Sequence, residues 1–499
     1  MHAVRVVVLG GMFSVVACGD DARPDASGGQ TDSVGPTPAT MTSTVPTGSV
    51  GDTQDATSDE GTASASQGQT TSATATAPTT TAATDATDAT GTTAPASATQ
   101  TTGPDPSTTD VTITTLSDPS TGESTGEPCS GNGGIFDFSY LWVANTTEGS
   151  ISKINTMTLM EEGRYYADPN PPAASTSRTS VNIDGHFVVV SNRGTGTISK
   201  FAANEADCVD KNGNGTIETS HSGVELLPWG SDECLLWNVT VNPPPDSYTR
   251  GPRGTAWAPG DFNPQTCKYE NQKVWVGWKN SFEHGNMASF DGATGQQIDT
   301  VGLDNWSPSP DYAPYGAAAD GFGNIWFTAV YQELARIDTE TLELKRWPGG
   351  GIQFYGMTVD GKGNPWFGPY SNGNVAYFDA QTETFHEIPG TNENHRGVAV
   401  DGSGMVWVAT NAGGTHGCGL NQIDSNTNTF VQFHTFPQCG TPVGVSIDVD
   451  GFVWMVDHSG WAFRINPNTY EKVQVIIPGD HYTYSDMTGG GLVNAVMPG

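Results

Sequence analysis

The sequence predicts an all-β domain, a seven-bladed β-propeller closed by a C-terminal strand and preceded by a disordered linker. Three observations predict it. A unit recurs at intervals of 40, 41 and 47 residues between Gly316 and Met455. Each copy holds an Asp-Gly dipeptide between two apolar runs, and almost all of the hydrophobic pattern lies after residue 129.

The chain divides by composition into a signal peptide at 1–17, a tether at 18–128 and the propeller at 129–499. Arg5 and the small or apolar run from Val6 to Val16 read as an export signal. The run is too short to span a bilayer as a permanent helix. Val15-Val16-Ala17-Cys18 resembles the lipobox of bacterial lipoproteins, which implies cleavage before Cys18 and lipidation of that residue. Several acyl chains, at roughly 0.8 kcal/mol per buried methylene, suffice to hold a soluble domain on a membrane. The expected location is therefore the cell envelope. Gly19 follows the cysteine where an aspartate would favour inner-membrane retention, so the outer membrane or cell surface is expected in a double-membraned host.

Residues 20–128 are Thr, Ser, Ala, Gly, Pro and Asp, with 15 acidic side chains against Arg23 alone. A stretch with so few large apolar groups cannot offset its ordering entropy, and its charge and prolines keep a tether extended. The whole chain carries a net charge of −34. Such a field repels phosphate backbones, which excludes nucleic acid as a partner. No feature calls for self-association, so a monomer is expected.

The repeat runs Gly316-Ala317-Ala318-Ala319-Asp320-Gly321-Phe322-Gly323-Asn324-Ile325-Trp326-Phe327, then from Gly356 to Phe367, Gly397 to Val408 and Gly444 to Met455. Each copy reads as a short strand of small residues, a turn and a Trp-led strand. A strand ending in Ile-Asp or Phe-Asp, a Thr-rich turn and a fourth strand follow. Asp-Gly between apolar runs is a hairpin signal because glycine tolerates positive φ. Four short antiparallel strands per unit make a propeller blade. Weaker copies begin at Arg178 and Arg253, the second with an insertion at its turn. Tyr140–Asn145 and Ile151–Asn155 supply later strands of a blade whose first strand is missing upstream. Tyr484–Gly489 and the tail to Val496 are the candidate for it, which would close the ring and leave no sheet edge unpaired. The insertion from Ala202 to Tyr248 has room for further strands and leaves six or eight blades open.

Six cysteines follow Cys18, an even number that suggests disulfides in an exported domain. Cys418 and Cys439 flank one strand pair, Cys208 and Cys234 bracket the insertion, and Cys129 with Cys267 follows by elimination. None has zinc-site spacing.

The unit Gly-x-x-x-Asp-x-x-Gly-x-x-Trp-Phe with its Ile-Asp strand resembles the virginiamycin B lyase (streptogramin lyase) family over residues 137–496. Similar units occur in NHL-repeat and gluconolactonase-like propellers. The resemblance implies elimination across an ester of a cyclic depsipeptide, with a divalent metal and a histidine base. It also implies a histidine just before a repeat glycine and a glutamate 14 positions on. The pairs here are Tyr315 with Ala329, Tyr355 with Pro369, Arg396 with Thr410 and Val443 with Asp457. None supplies the lyase pair; His395 stands one residue early and His458 one late. Elimination needs a base within reach of its proton and a charge-stabilising metal. The expected function is therefore ligand or partner binding, with a divergent metal-dependent lyase or lactonase-type hydrolase as the alternative.

Residues preceding the repeat glycines should converge at one mouth of the channel. In ring order these are Tyr484, Arg178, Arg253, Tyr315, Tyr355, Arg396 and Val443. Guanidinium forks and aromatic faces suit an anionic or polyhydroxylated molecule, whether a small molecule, a glycan or a protein group. Asn145, Asn192, Trp278 and Asp457 would join from the second slot. The competing reading has the arginines satisfying turn carbonyls or acidic neighbours. A second motif, Asp210-Lys211-Asn212-Gly213-Asn214-Gly215-Thr216-Ile217-Glu218, matches the start of an EF-hand-like Ca²⁺ loop, although His221 replaces its bidentate glutamate. A structural calcium ion in the insertion is expected, and no organic cofactor.

Overall fold

The computed structural model describes residues 139–241, 248–331 and 333–497, all within one compact unit, Glu123–Gly499. Cys18, the linker and Cys129 lie outside the described residues.

Seven antiparallel sheets follow one another along the chain, six with four strands and the first with three. The four best repeats form the fourth to seventh blades, with innermost strands Ala317–Ala319, Gly356–Val359, His395–Val400 and Pro442–Ile447. The second and third blades start at Thr176–Val181 and Thr255–Ala258. In each, the first strand pairs with the second, the second with the third and the third with the fourth, so every blade is a meander. The insertion after Ala202 adds no extra blade. It returns as Leu235–Thr240, the outer strand of the second blade, and the turn insertion in the third blade is a hairpin of Asp261–Asn263 with Lys268–Glu270.

The aspartate of each repeat explains why this sequence makes these hairpins. Asp320 accepts the backbone N–H groups of Phe322 and Asn324 at 2.8 and 2.9 Å on Oδ1, and the indole N–H of Trp326 at 2.8 Å on Oδ2. Asp360 does the same with Lys362, Asn364 and Trp366, Asp401 with Ser403, Met405 and Trp407, and Asp448 with Asp450, Phe452 and Trp454. One carboxylate thus closes the turn and ties down the tryptophan that packs in the core. In the first three copies the residue with positive φ is not the glycine after the clamping aspartate, and in the fourth Val449 follows Asp448. In all four it is the glycine three positions on, Gly323, Gly363, Gly404 and Gly451, with φ between 81 and 86°.

The ring is closed by the C-terminus, as expected, although the segment forms no regular strand. Trp142 donates its N–H to the Met487 carbonyl at 2.9 Å, Thr146 to that of Asp480 at 3.0 Å, and Asn145 bridges to His481. This lays 480–487 along the inner edge of the first blade, in place of the missing strand. The expected strand tail to Val496 is instead a helix, Gly490–Val496. The Asp486 carboxylate accepts the N–H groups of Gly489 and Leu492 at 2.9 and 2.8 Å, so it sits at the positive end of the helix. The helix lies across the turn end of the channel: a Cβ on Gly321 would come within 2.7 Å of the Ala495 carbonyl, and Asn494 donates to the Val400 carbonyl at 2.9 Å.

Both pairings expected of the described cysteines are present, Cys208–Cys234 and Cys418–Cys439.

Replacing Asp360, which is buried, by alanine leaves the Trp366 N–H and two turn amides without acceptors. The variant should lose about 2 kcal/mol of stability, read as a lowered urea midpoint. An unchanged midpoint would mean that the clamp adds nothing to the blade.

Candidate functional site

Opposite the helix, the channel mouth is filled from within. Strand direction brings Arg178, Arg253, Tyr315, Tyr355, Arg396 and Tyr484 together, and all six are buried. The Arg178 guanidinium carbon lies 4.5 Å from the Tyr315 ring centre and 4.2 Å from that of Tyr484; Arg253 lies 5.3 Å from Tyr315, and Arg396 4.9 Å from Tyr355. Arg396 donates to the Tyr355 hydroxyl at 2.7 Å. The central member, Tyr482, went unnoticed in the sequence although it stands two residues before Tyr484: its hydroxyl meets those of Tyr315 and Tyr355 at 2.5 and 2.6 Å. Val443 is buried in the same cluster as Tyr315, Tyr355, Tyr482 and Tyr484.

Electrostatically the plug is unusual in an acidic chain. Among the described residues, neither Arg178 nor Arg396 has a carboxylate partner. Burial works against both charges, and the facing phenol oxygens outweigh it, so both guanidinium pKa values are raised. Burial and the neighbouring phenols also hold the Tyr355 hydroxyl well above its ordinary value. Of the competing reading, one part is present: Arg178 Nε donates to the Tyr315 carbonyl at 3.3 Å. Acidic neighbours are not part of it for these two arginines.

The second slot does not face the mouth. Asn145 donates to Ser150 and Ser152, Asn192 to the Ala167 carbonyl and Thr197, and Trp278 to Asn280, all within or beside their own blades. Asp457 accepts the N–H groups of Gly440, Thr441 and Ser459 at 2.9, 2.9 and 3.0 Å. It is thus not brought to the arginines. The next residue along points to the mouth instead, as strand alternation requires. Arg193 lies 4.3 Å from the Tyr482 ring centre, the Tyr370 and Tyr355 ring centres are 4.9 Å apart, and Asn411 accepts from Arg396 at 3.3 Å. His458 holds the same position in the seventh blade and is partly exposed. The outer rim includes Tyr248, which is 42% exposed.

His395, the histidine nearest a repeat glycine, is turned into the sixth blade, where its Nε2 meets Asn421 Nδ2 at 3.1 Å. Burial lowers its pKa to about 3. It is no base for chemistry at the mouth.

Beside Asp457, the disulfide sulfurs of Cys418 and Cys439 lie within 4.8 Å of its carboxylate and of one another. Two thiolates and a carboxylate are a metal-binding set once the disulfide is reduced.

In the insertion, Asp210, Asn212, Asn214, Thr216 and Glu218 do form one loop. Asp210 accepts the N–H groups of Gly213 and Gly215 at 2.6 and 2.8 Å, and the Asn212 and Asn214 amides donate to Glu218 at 2.8 and 2.7 Å. Glu233, across the Cys208–Cys234 bridge, holds the loop from beneath by accepting from Lys211 and Glu218 at 2.8 and 3.0 Å. Nothing in this arrangement singles out calcium.

No family model matches the chain, and no curated protein does. Among solved structures, a streptogramin B lyase structure is similar at 20% identity over 46% of this chain and 70% of that one, with a TM-score of 0.37. Virginiamycin B lyase from Staphylococcus aureus is similar at 18% identity over 46% and 71%, with a TM-score of 0.36. A functionally unknown protein from Desulfotomaculum acetoxidans DSM 771 is similar at 14% identity over 68% and 98%, with a TM-score of 0.47. The likeness is distant and partial, and it is one of β-propeller fold.

Burial pushes the pKa of His481 down to about 4 and that of His395 to about 3, from 6.5. Both fold neutral, so they contribute stability above pH 6.5 that is lost as pH falls from 6.5 towards these values. Melting temperature should drop across that window, and His395→Gln should flatten the drop. An equal drop in the variant would count against this assignment.

Proposed function

We propose that this propeller binds an anionic or polyhydroxylated ligand at the tyrosine and arginine surface of its channel mouth. The observation that carries the reading is that Arg178 and Arg396 are buried among phenols with no carboxylate partner. A buried cation without a counter-charge is costly, and aromatic faces and hydroxyl groups compensate only in part. A ligand that brings negative charge or acceptor oxygens supplies the rest. Arg193, Tyr248 and Tyr370 form the outer layer such a ligand meets first. Residues 1–18 and the Thr-rich tether support display from a lipid anchor at Cys18 in the cell envelope.

A second reading, a divergent metal-dependent lyase or lactonase-type hydrolase, is favoured by a different observation. The reducible Cys418, Cys439 and Asp457 set offers metal ligands, and His458 beside it holds a mouth-facing register position. For the insertion loop, the oxygen atoms of Asp210, Asn212, Asn214 and Glu218 with the Thr216 carbonyl support a structural calcium ion that would stiffen the loop.

Galacturonate, which joins a carboxylate to a ring of hydroxyl groups, tests the main reading by calorimetry. Wild-type chain should bind it, and Arg178→Ala with Arg396→Ala should weaken binding more than tenfold with the β-sheet spectrum retained. Affinity unchanged in the double variant would end the mouth assignment.

Metal titration separates the remaining readings. Calcium should raise the melting temperature, and Asp210→Ala should remove that rise; no calcium heat at all would exclude the loop site. Zinc bound by the reduced chain and lost in Asp457→Ala would support the enzymatic reading.

A further inference from the structure

Beneath the plug lies a small void of about 10 Å³, bordered by Arg178, Tyr355, Tyr484 and the repeat glycines Gly316, Gly356 and Gly397. These glycines are packed against neighbouring backbone: a Cβ on Gly356 would fall 1.9 Å from the Arg396 carbonyl, and one on Gly397 2.6 Å from the Val445 nitrogen. A void of this size holds one water-sized particle. Arg178 is 1% exposed. Its Nε donates to the Tyr315 carbonyl at 3.3 Å and its Nη1 to Ser177 at 3.2 Å, while its Nη2 is buried with no hydrogen-bond partner. A permanently charged group with an unused N–H therefore borders a particle-sized space that contains no carboxylate.

We propose that this void is a buried site for a small monovalent anion of the size and charge of chloride. The occupant gives Arg178 the counter-charge the chain does not provide and accepts the N–H that nothing else takes. Water could fill the space but not the charge. The inference rests on the reading that the mouth is tuned to negative charge, and it places a resident ion one layer below the surface on which an exchangeable ligand would act. The ion fixes Arg178, which in turn orients the Tyr315 and Tyr484 faces of the plug.

The test is thermal melting of the full chain at fixed ionic strength, with chloride or bromide exchanged for gluconate. Chloride and bromide should raise the melting temperature saturably by about 3 °C or more, and Arg178→Met should abolish the dependence. Bromide should also give an anomalous peak beside Arg178 in crystals of the chain. Equal melting in chloride and gluconate, or a chloride effect that persists in Arg178→Met, would overturn the site and leave water as its occupant. Should Arg178→Met fail to fold, the bromide peak decides alone: its absence overturns the proposal. Galacturonate binding measured in gluconate buffer keeps the two ideas apart. Binding there without any chloride effect removes the buried ion and leaves the mouth reading, whereas a chloride effect without galacturonate binding does the reverse.

Discussion

The carboxylate of the repeat aspartate sets the geometry on which the rest of this propeller depends. With two turn amides on one oxygen and an indole N–H on the other, it fixes where the inner strand stops, how tightly the chain reverses and where the tryptophan lies. Those tryptophans, buried in Trp326, Trp366, Trp407 and Trp454, pack within and between neighbouring blades. Local turn chemistry and global blade packing are thus one interaction rather than two. Where the repeat degenerates the clamp is lost. In the first and third blades Trp142 and Trp275 remain buried, but their indole nitrogens have no hydrogen-bond partner, a cost that the surrounding apolar contacts must cover.

Because the clamp fixes the lower end of each inner strand, it also fixes what emerges at the upper end. Inner strands of three to six residues deliver the residue before each repeat glycine to a common ring, and alternation delivers the residue after the second slot to the layer above. Arginine and tyrosine at these positions therefore stack instead of scattering. The result is a plug whose cations are held by ring faces and hydroxyl groups. Its opposite number is the helix Gly490–Val496, and the channel between them holds a cavity of about 40 Å³ lined by small residues such as Ala317 and Ala319.

Much of this was legible in the sequence. The interval between repeats gives the blades, the Asp-Gly dipeptides give the hairpins, and two cysteine pairs follow from their places beside strands. The six arginines and tyrosines of the mouth come out together because they share one register. What escaped the sequence lies where no repeat exists to set a phase. Tyr482 belongs to the closing segment, which has no sibling to align with, and the helix after Asp486 depends on a carboxylate cap set by three consecutive glycines in a tail otherwise reading as strand. The second slot was misread by a single residue, and in a strand one residue is the whole difference between the blade interior and the mouth. His395 illustrates the same point, since one step of register turns it from a mouth position to a buried one.

The plug at one end of the channel and the helix at the other bear on what this fold can do here. A propeller that carries out elimination needs a base and a metal beside substrate, and a substrate of any size must enter from a mouth. Here the upper mouth is filled to its rim by Arg178, Arg253, Arg396 and their tyrosines, and the nearest histidine of the inner strands is held neutral inside a blade. The layer above holds Arg193, Tyr370 and the partly exposed His458. That surface offers guanidinium groups, rigid aromatic faces and a rim that includes the exposed Tyr248. In a propeller, function follows the residues placed at its mouth more than the fold itself, and here those residues are arginines and tyrosines packed face to face.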